Sequence, residues 1–441
     1  MASRRVSCAL ALRLTLVGCG LLSLTACSPL IPTTQHRSTP TPRPHPLTFV
    51  TTKDSLYALD TGDGSVRWRA PVGTVGYYPA VASSRANIIL LPTSRQSFLA
   101  IRAADGSTLW QRSYPYSYLA ATNDVVVFTT EQQTGSVLSA VRVATGRQIW
   151  QMETDSLPAR VLFDGDTMLV TMWDPDALSC LGYGMSYGRL RILALNILDG
   201  SVRWAADNPQ QQLWDMAAEN GTVYWSAQDE GCDHPHQLCA TDAATGKLRW
   251  RVATDQDFHL EQVVNGILYG WSATGVDAYR GKDGALLWRS GRRRDGLIAA
   301  SATRVLIAKP DGQVVAVDPP NGYVLWSLAV TGVRYLEVLD GTLYATEHTI
   351  SNQWTIVAHE MTTGRVRWNV TLSYLYPSLA VADGKLIALQ AEFGRCSGGL
   401  SSDVTLTALG TTTGDTVWER VLPKTITSET PTPTIHARSL C

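Results

Sequence analysis

Beyond Cys27 the chain has no apolar run approaching the ~18 residues that a membrane-spanning helix needs, so no span is expected in its body. Excess charge of either sign is also missing. Arg4, Arg5 and Arg13 fall in the first 26 residues, which leaves 34 of the 37 basic residues against 38 acidic ones, a net charge of −4. That balance argues against a nucleic-acid partner. No Ser/His/Asp or Cys/His constellation stands in a recognisable local context, and no glycine-rich phosphate loop is present. The commonest local signatures of catalysis are therefore absent.

What the sequence has instead is repetition. The set Ala58, Gly64 and Trp68 returns at the same spacing as Ala100/Gly106/Trp110, Ala140/Gly146/Trp150, Ala194/Gly200/Trp204, Ala240/Gly246/Trp250, Ala278/Gly284/Trp288, Ala316/Gly322/Trp326, Ala358/Gly364/Trp368 and Ala408/Gly414/Trp418. Each copy reads as a strand, a turn and a returning strand, with the glycine at a left-handed turn position. The alanine allows neighbouring sheets to approach, and the tryptophan is a large plate that can seal one sheet onto the next. Two further strands joined by Asp-Gly or Asn-Gly turns precede most copies, as at Asp164-Gly165, Asn220-Gly221, Asn265-Gly266, Asp340-Gly341 and Asp383-Gly384. Successive motif tryptophans are 38 to 54 residues apart, the period of a propeller blade and too short for a crossover helix in each unit. The expectation is an all-β propeller of four-stranded antiparallel blades, in which the repeat residues are structural.

Residues 1–26 have the basic start and hydrophobic core of a signal peptide. Leu24-Thr25-Ala26-Cys27 resembles a bacterial lipobox, with Cys27 as the lipidated residue. Leu16-Val17-Gly18-Cys19 fits the same pattern less well because Arg13 interrupts the apolar run, and an ordinary secretory signal is the alternative. Either way the body is expected outside the cytoplasm. Residues 27–46 form a Pro/Thr-rich tether, and 47–441 the propeller. The first blade lacks one strand in sequence. Pro433-Thr434-Ile435-His436-Ala437 echoes the first-strand pattern at Pro79-Ala80-Val81-Ala82, so the two ends of the chain are expected to close the ring together.

Insertions fall mostly between second and third strands: Trp173 to Gly188, Asp229 to Gln237, His348 to Trp354 and Glu392 to Asp403. Alternation puts them on one face, where propellers carry their specificity. Trp173 and Trp354 flank insertions and are candidate contacts for a protein or saccharide ligand, whereas Trp214, Trp225 and Trp271 lie in strands and read as core. Cys180, Cys232, Cys239, Cys396 and Cys441 are disulfide candidates with the pairing left open: Cys180 with Cys232, Cys396 with Cys441, or Cys232 with Cys239, unless Cys239 stays a buried thiol in its strand. The loop Cys232 to Cys239 also brings His234 and His236 together as candidate interaction residues. Its spacing matches no standard zinc site, so a disulfide-braced loop is the simpler reading. Arg292-Arg293-Arg294, in a connection between blades, reads first as a solvated charge run and second as a contact for an acidic partner or lipid phosphate.

The motif, fullest in Ala58-Leu59-Asp60 through Trp68 and Ala240-Thr241-Asp242 through Trp250, resembles the pyrroloquinoline-quinone (PQQ) type propeller repeat over residues 47–421. The acidic position varies, being Arg102, Arg142, Asn196, Arg280 and Gly410 in other copies. The resemblance implies eight blades as the usual closure, against nine motifs here. It also implies two branches. Quinoprotein dehydrogenases hold PQQ and calcium on the axis, many beneath an adjacent Cys-Cys pair, which this chain lacks. The non-catalytic branch of BamB-like lipoproteins combines lipobox, tether and one propeller, as here. A lipid-anchored, extracytoplasmic binding scaffold without cofactor is therefore expected, as a monomer or within a hetero-complex. A PQQ-dependent alcohol or sugar dehydrogenase and a sensor or solute-binding module are the alternatives.

Overall fold

A computed structural model describes Leu21–Ser23 and residues 46–422 other than 53–54, 73–80, 84–86, 94–96, 114–117, 133–134, 174–188, 230–235, 255–257, 331–332, 349–352, 373–378 and 391–403. Every regular element among these residues is a strand. Nine antiparallel blades form a ring, numbered here in chain order, so the literal motif count holds over the eight that the resemblance implied. Blades 4 and 5 share one continuous strand, Val202–Glu219, which is the outer strand of the former and the inner strand of the latter. Their sheet is consequently seven-stranded.

The repeat residues act together at each seam. All nine motif alanines are fully buried, and each lies opposite the tryptophan of its own hairpin in the strand register. Each tryptophan then reaches into the next blade. Its indole N–H donates to a backbone carbonyl there at 2.7–3.1 Å: Trp68 to Ala103, Trp110 to Val143, Trp150 to Ile197, Trp204 to Ala243, Trp250 to Gly281, Trp288 to Pro319, Trp326 to Met361 and Trp368 to Thr411. Its ring covers that blade's motif glycine, whose φ lies between +66° and +76° and where an added Cβ would stand 2.6–2.7 Å from the indole. Glycine is thus required twice at each seam, by backbone conformation and by space.

Sealing is less uniform than the repeat suggests. Trp150, Trp368 and Trp418 are buried, whereas Trp68, Trp110, Trp204, Trp250, Trp288 and Trp326 are only half-buried. Each of these side chains stands on the outermost strand of its blade, so part of the ring stays open to solvent even where the N–H is satisfied and the glycine covered. The six are docking residues that do not fully close their seams.

Ring closure repeats the same contact between the chain's two ends. The Trp418 indole donates to the Thr61 carbonyl at 2.9 Å and covers Gly64. Val50, Tyr57 and Leu59 of blade 1 pack there with Ile387, Leu406 and Leu422 of blade 9. The core is accordingly nine separate clusters, one between each pair of consecutive blades. The Asn-Gly and Asp-Gly turns behave as their residues require, with both members at positive φ in Asn220-Gly221, Asn265-Gly266, Asp340-Gly341 and Asp383-Gly384.

One strand arrives from an unexpected place. Leu21–Ser23, within the segment read as a signal peptide, pairs antiparallel with Leu47–Thr51 at the first position of blade 1, an edge that cleavage ahead of Cys27 would leave open. The sequence pattern assigns that position to Pro433–Ala437, which lies outside the described residues. An open sheet edge offers unpaired N–H and C=O groups to any short extended segment, so edge pairing has weak sequence specificity.

Candidate functional site

All four insertions lie between second and third strands, after Trp173, Asp229, His348 and Gln390. Inner strands begin at this same end of the ring, and there the structure assembles a group that no local sequence pattern announces. In blades 3 to 8 the inner strand carries one extra residue against its neighbour, at Leu119, Ala159, Trp214, Glu261, Ile298 and Arg334. A bulge of this kind bends the strand and re-aims the side chains beside it. The residues that follow it in blades 4 and 5 are Arg160 and Asp215.

Asp215 is the centre of the group. Its Oδ1 accepts from Arg160 Nη1 at 2.9 Å and its Oδ2 from His259 Nδ1 at 3.0 Å, linking the inner strands of three successive blades. His259 is directly opposite Trp271 in the register of blade 6, and the two rings stack with centroids 4.0 Å apart and planes 14° from parallel. The carboxylate side chain is only 12% exposed, whereas Arg160 is 56% exposed at the side chain and Trp271 is 39% exposed. A guanidinium and an indole are thus offered to solvent, supported from beneath by a buried acid and an imidazole. Such a surface suits binding of carboxylates and apolar or aromatic groups.

PQQ with calcium, implied by the dehydrogenase branch, would need several oxygen donors converging on the metal. Among the described residues no three His, Cys, Asp or Glu side chains group so as to hold a metal ion. Asp215 presents its two oxygens to a guanidinium and an imidazole. The Asp215 group itself does not fit a calcium-bound quinone.

The residues singled out from sequence are dispersed. Trp173 takes the register position in blade 4, opposite Leu157, that Trp271 takes in blade 6. Trp354 begins the third strand of blade 8 and is partly buried against the cluster of Tyr344, Ile356 and Leu379. His236 is buried at the start of strand His236–Asp242, and Cys239 is fully buried three residues on. Cys27, Cys180, Cys232, His234, Cys396 and Cys441 lie outside the described residues. Trp225 is core as expected, its indole N–H donating to Thr241 Oγ1 at 3.1 Å. Trp271 is not. Its strand position suggests core, but it is exposed, at an end of blade 6 that has only the short turn Ser272–Gly275 and no insertion to cover it.

A second carboxyl on the inner strands is set apart. Glu337, opposite Tyr344 in blade 8, has a buried Oε1 without a hydrogen-bond partner among the described residues, and burial pushes its carboxyl up to about 7. The folded state therefore holds a proton between the unfolded carboxyl's range near 4.5 and about 7, so stability rises as pH falls across that window and is lost as pH rises through it. Glu337→Gln is expected to stabilise the protein by about 2 kcal/mol at pH 8 and to be neutral at pH 4. Urea unfolding at the two pH values checks this, and equal effects at both would refute it.

Comparison with known proteins follows the architecture. The family profile described as outer membrane protein assembly factor BamB matches residues 33–160, 133–270, 188–335 and 272–441. BamB from Moraxella catarrhalis is similar at 19% identity and a TM-score of 0.47 over 68% of this chain and 88% of its own. Apo AztD from Citrobacter koseri aligns at 13% identity and 0.44, over 74% of this chain and 94% of its own. Quinohemoprotein alcohol dehydrogenase from Comamonas testosteroni aligns at 12% identity and 0.39, over 78% and 69%. Comparison with curated protein sequences gives no match. With the family profile matched from residue 33 to the last residue, and a seam in every blade built from the same alanine, glycine and tryptophan, the chain belongs to the BamB family of PQQ-like β-propellers.

Proposed function

We propose that this protein is an extracytoplasmic, lipid-anchored propeller that binds a protein partner and carries out no chemistry of its own. Family membership across residues 33–441 is the observation that carries the reading, since an outer membrane protein assembly factor is by description a factor that handles other proteins. The ring geometry supports it. All nine motif tryptophans are committed to docking blades, which leaves a rigid frame. Contacts for a partner come from the insertion-bearing end, with Arg160 and Trp271 exposed at its inner rim. Cys27 carries the lipid, 28–46 holds the ring off the membrane, and no cofactor is required.

Two measurements test this on the full-length protein. Cells fed a clickable palmitate analogue should label the wild-type chain and not Cys27→Ser, and release of the unlabelled variant from membranes should accompany the loss. Calorimetric titration of the detergent-solubilised protein with PQQ and Ca²⁺ should show no binding, and in-cell photo-crosslinking from the insertion-bearing end should give a discrete protein adduct. One-to-one PQQ binding with dye reduction on an alcohol or sugar would sink the scaffold reading and make this a quinoprotein.

A further inference from the structure

The insertion-free end of blade 6 combines an exposed aromatic plate with a constrained cationic turn. Ser290–Asp295 connects the outer strand of blade 6 to the inner strand of blade 7. It is tied down at both ends. Ser290 exchanges hydrogen bonds with Val276, donating from its N–H to the Val276 carbonyl and accepting the Val276 N–H on its hydroxyl. Asp295, buried at the far end, is ion-paired with the largely buried Lys309, and Arg292 is paired with Asp311. Between these anchors the Asp295 N–H donates to the Arg292 carbonyl at 3.1 Å, and Arg294 adopts φ +71°. That is the third position of a turn that glycine normally fills, so a left-handed arginine is strained there and persists only because the surroundings hold it.

Two of the basic residues here stand apart in charge. Arg160, Arg292 and Lys309 each face a carboxylate. Among the described residues none pairs with Arg293 or Arg294, and both are exposed. The turn also packs directly on the loop that follows Trp271: a Cβ added at Gly275 would stand 2.5 Å from the Arg292 carbonyl oxygen. Two guanidiniums with no internal counter-charge and a half-open indole therefore share one end of one blade, free of any insertion.

We propose that this end of blade 6 binds an acidic segment of the partner protein, with carboxylates on Arg293 and Arg294 and an apolar side chain against Trp271. The inference rests on the scaffold reading in taking the occupant to be a protein. Arginine's planar fork matches carboxylates in pairs. The indole selects a chain over a bilayer, because Trp271 stacks on His259 of the innermost strand and does not stand on the outer strand of its blade.

Fluorescence anisotropy on the full-length protein in detergent, with a labelled synthetic peptide of alternating glutamate and phenylalanine, provides the test. The peptide should bind with an affinity that falls as salt rises. R293E/R294E should weaken it at least tenfold, Trp271→Ala severalfold, and a lysine/phenylalanine peptide should not bind. Arg294→Gly separates binding from folding: it should raise the melting temperature by relieving the left-handed strain and still weaken the peptide. Equal binding to wild type and R293E/R294E would overturn the proposal, and so would displacement of the peptide by glycerol phosphate at similar concentration, which would assign the site to phosphate headgroups. The scaffold reading fails separately, through PQQ turnover or the lack of any cross-linked protein. A partner adduct that survives R293E/R294E with unchanged yield would overturn this inference alone.

Discussion

Trp150→Ala should lower stability by about 3–5 kcal/mol, the largest effect expected of any single change in this ring. The side chain is buried in the seam between blades 3 and 4, with its indole N–H donating to the Ile197 carbonyl at 2.8 Å and its ring over Gly200. Truncation leaves a cavity among Val127, Leu138, Met168 and Leu195 and an unsatisfied carbonyl. Gly200→Ala attacks the same seam from the other side. Its φ is +74° and the added Cβ would stand 2.7 Å from the Trp150 ring, so a loss of about 2 kcal/mol is expected. The two changes should not add. Once the indole is gone the new methyl group has nothing to strike, and only the backbone strain remains, giving a coupling of about 1 kcal/mol. Urea unfolding of the two single variants and the double variant measures all three quantities. Strict additivity would mean that the tryptophan and glycine do not meet as described.

Asp295→Ala should cost about 3 kcal/mol, through a different mechanism. The Asp295 side chain is fully buried and that of Lys309 is 14% exposed, so removing the acid leaves an ammonium group in a site with little water. The penalty belongs to the orphaned charge more than to the lost attraction. The double replacement Asp295→Leu with Lys309→Met should therefore recover most of the stability. It should also loosen the turn that holds Arg294 in its left-handed conformation, so restored stability with weakened peptide binding is the expected combination. If the double variant is as unstable as Asp295→Ala, the pair contributes by geometry and not by charge compensation.

Much of this architecture was legible because each seam is a local, repeated statement. Ala58, Gly64 and Trp68 lie within one hairpin, and the same three residue types at the same spacing meet the next blade nine times over. How completely each tryptophan is covered was not legible, since Trp204, Trp288 and Trp326 share their motif with the buried Trp150 and yet stay half-buried. Turn chemistry was local as well, because Asn220-Gly221 or Asp383-Gly384 specifies a tight hairpin without reference to anything distant. The Asp215 group left no such trace. His259 is 44 residues from Asp215, and Arg160, Asp215 and His259 each sit on a different blade with no flanking motif. Bulges at Ala159 and Trp214 are what bring Arg160 and Asp215 side by side, and a bulge leaves no mark in residue type. Trp271 departs from its strand pattern for a related reason. A tryptophan in a strand is core or surface depending on what covers that strand, and here the adjoining turn is too short to cover it.

The sequence by itself determined the all-β blades, their number as nine motifs, the docking role of the nine tryptophans, and the end of the ring that carries the insertions. Those features depend on contacts within a hairpin or between consecutive units, and a repeat encodes such contacts directly. Only the tertiary structure decided that nine blades close with Trp418 on Thr61, and that Arg160, Asp215, His259 and Trp271 meet at one end of the ring. Each depends on where the ring brings residues far apart in sequence, and that position accumulates from the rotation of every blade between them, which no single repeat states.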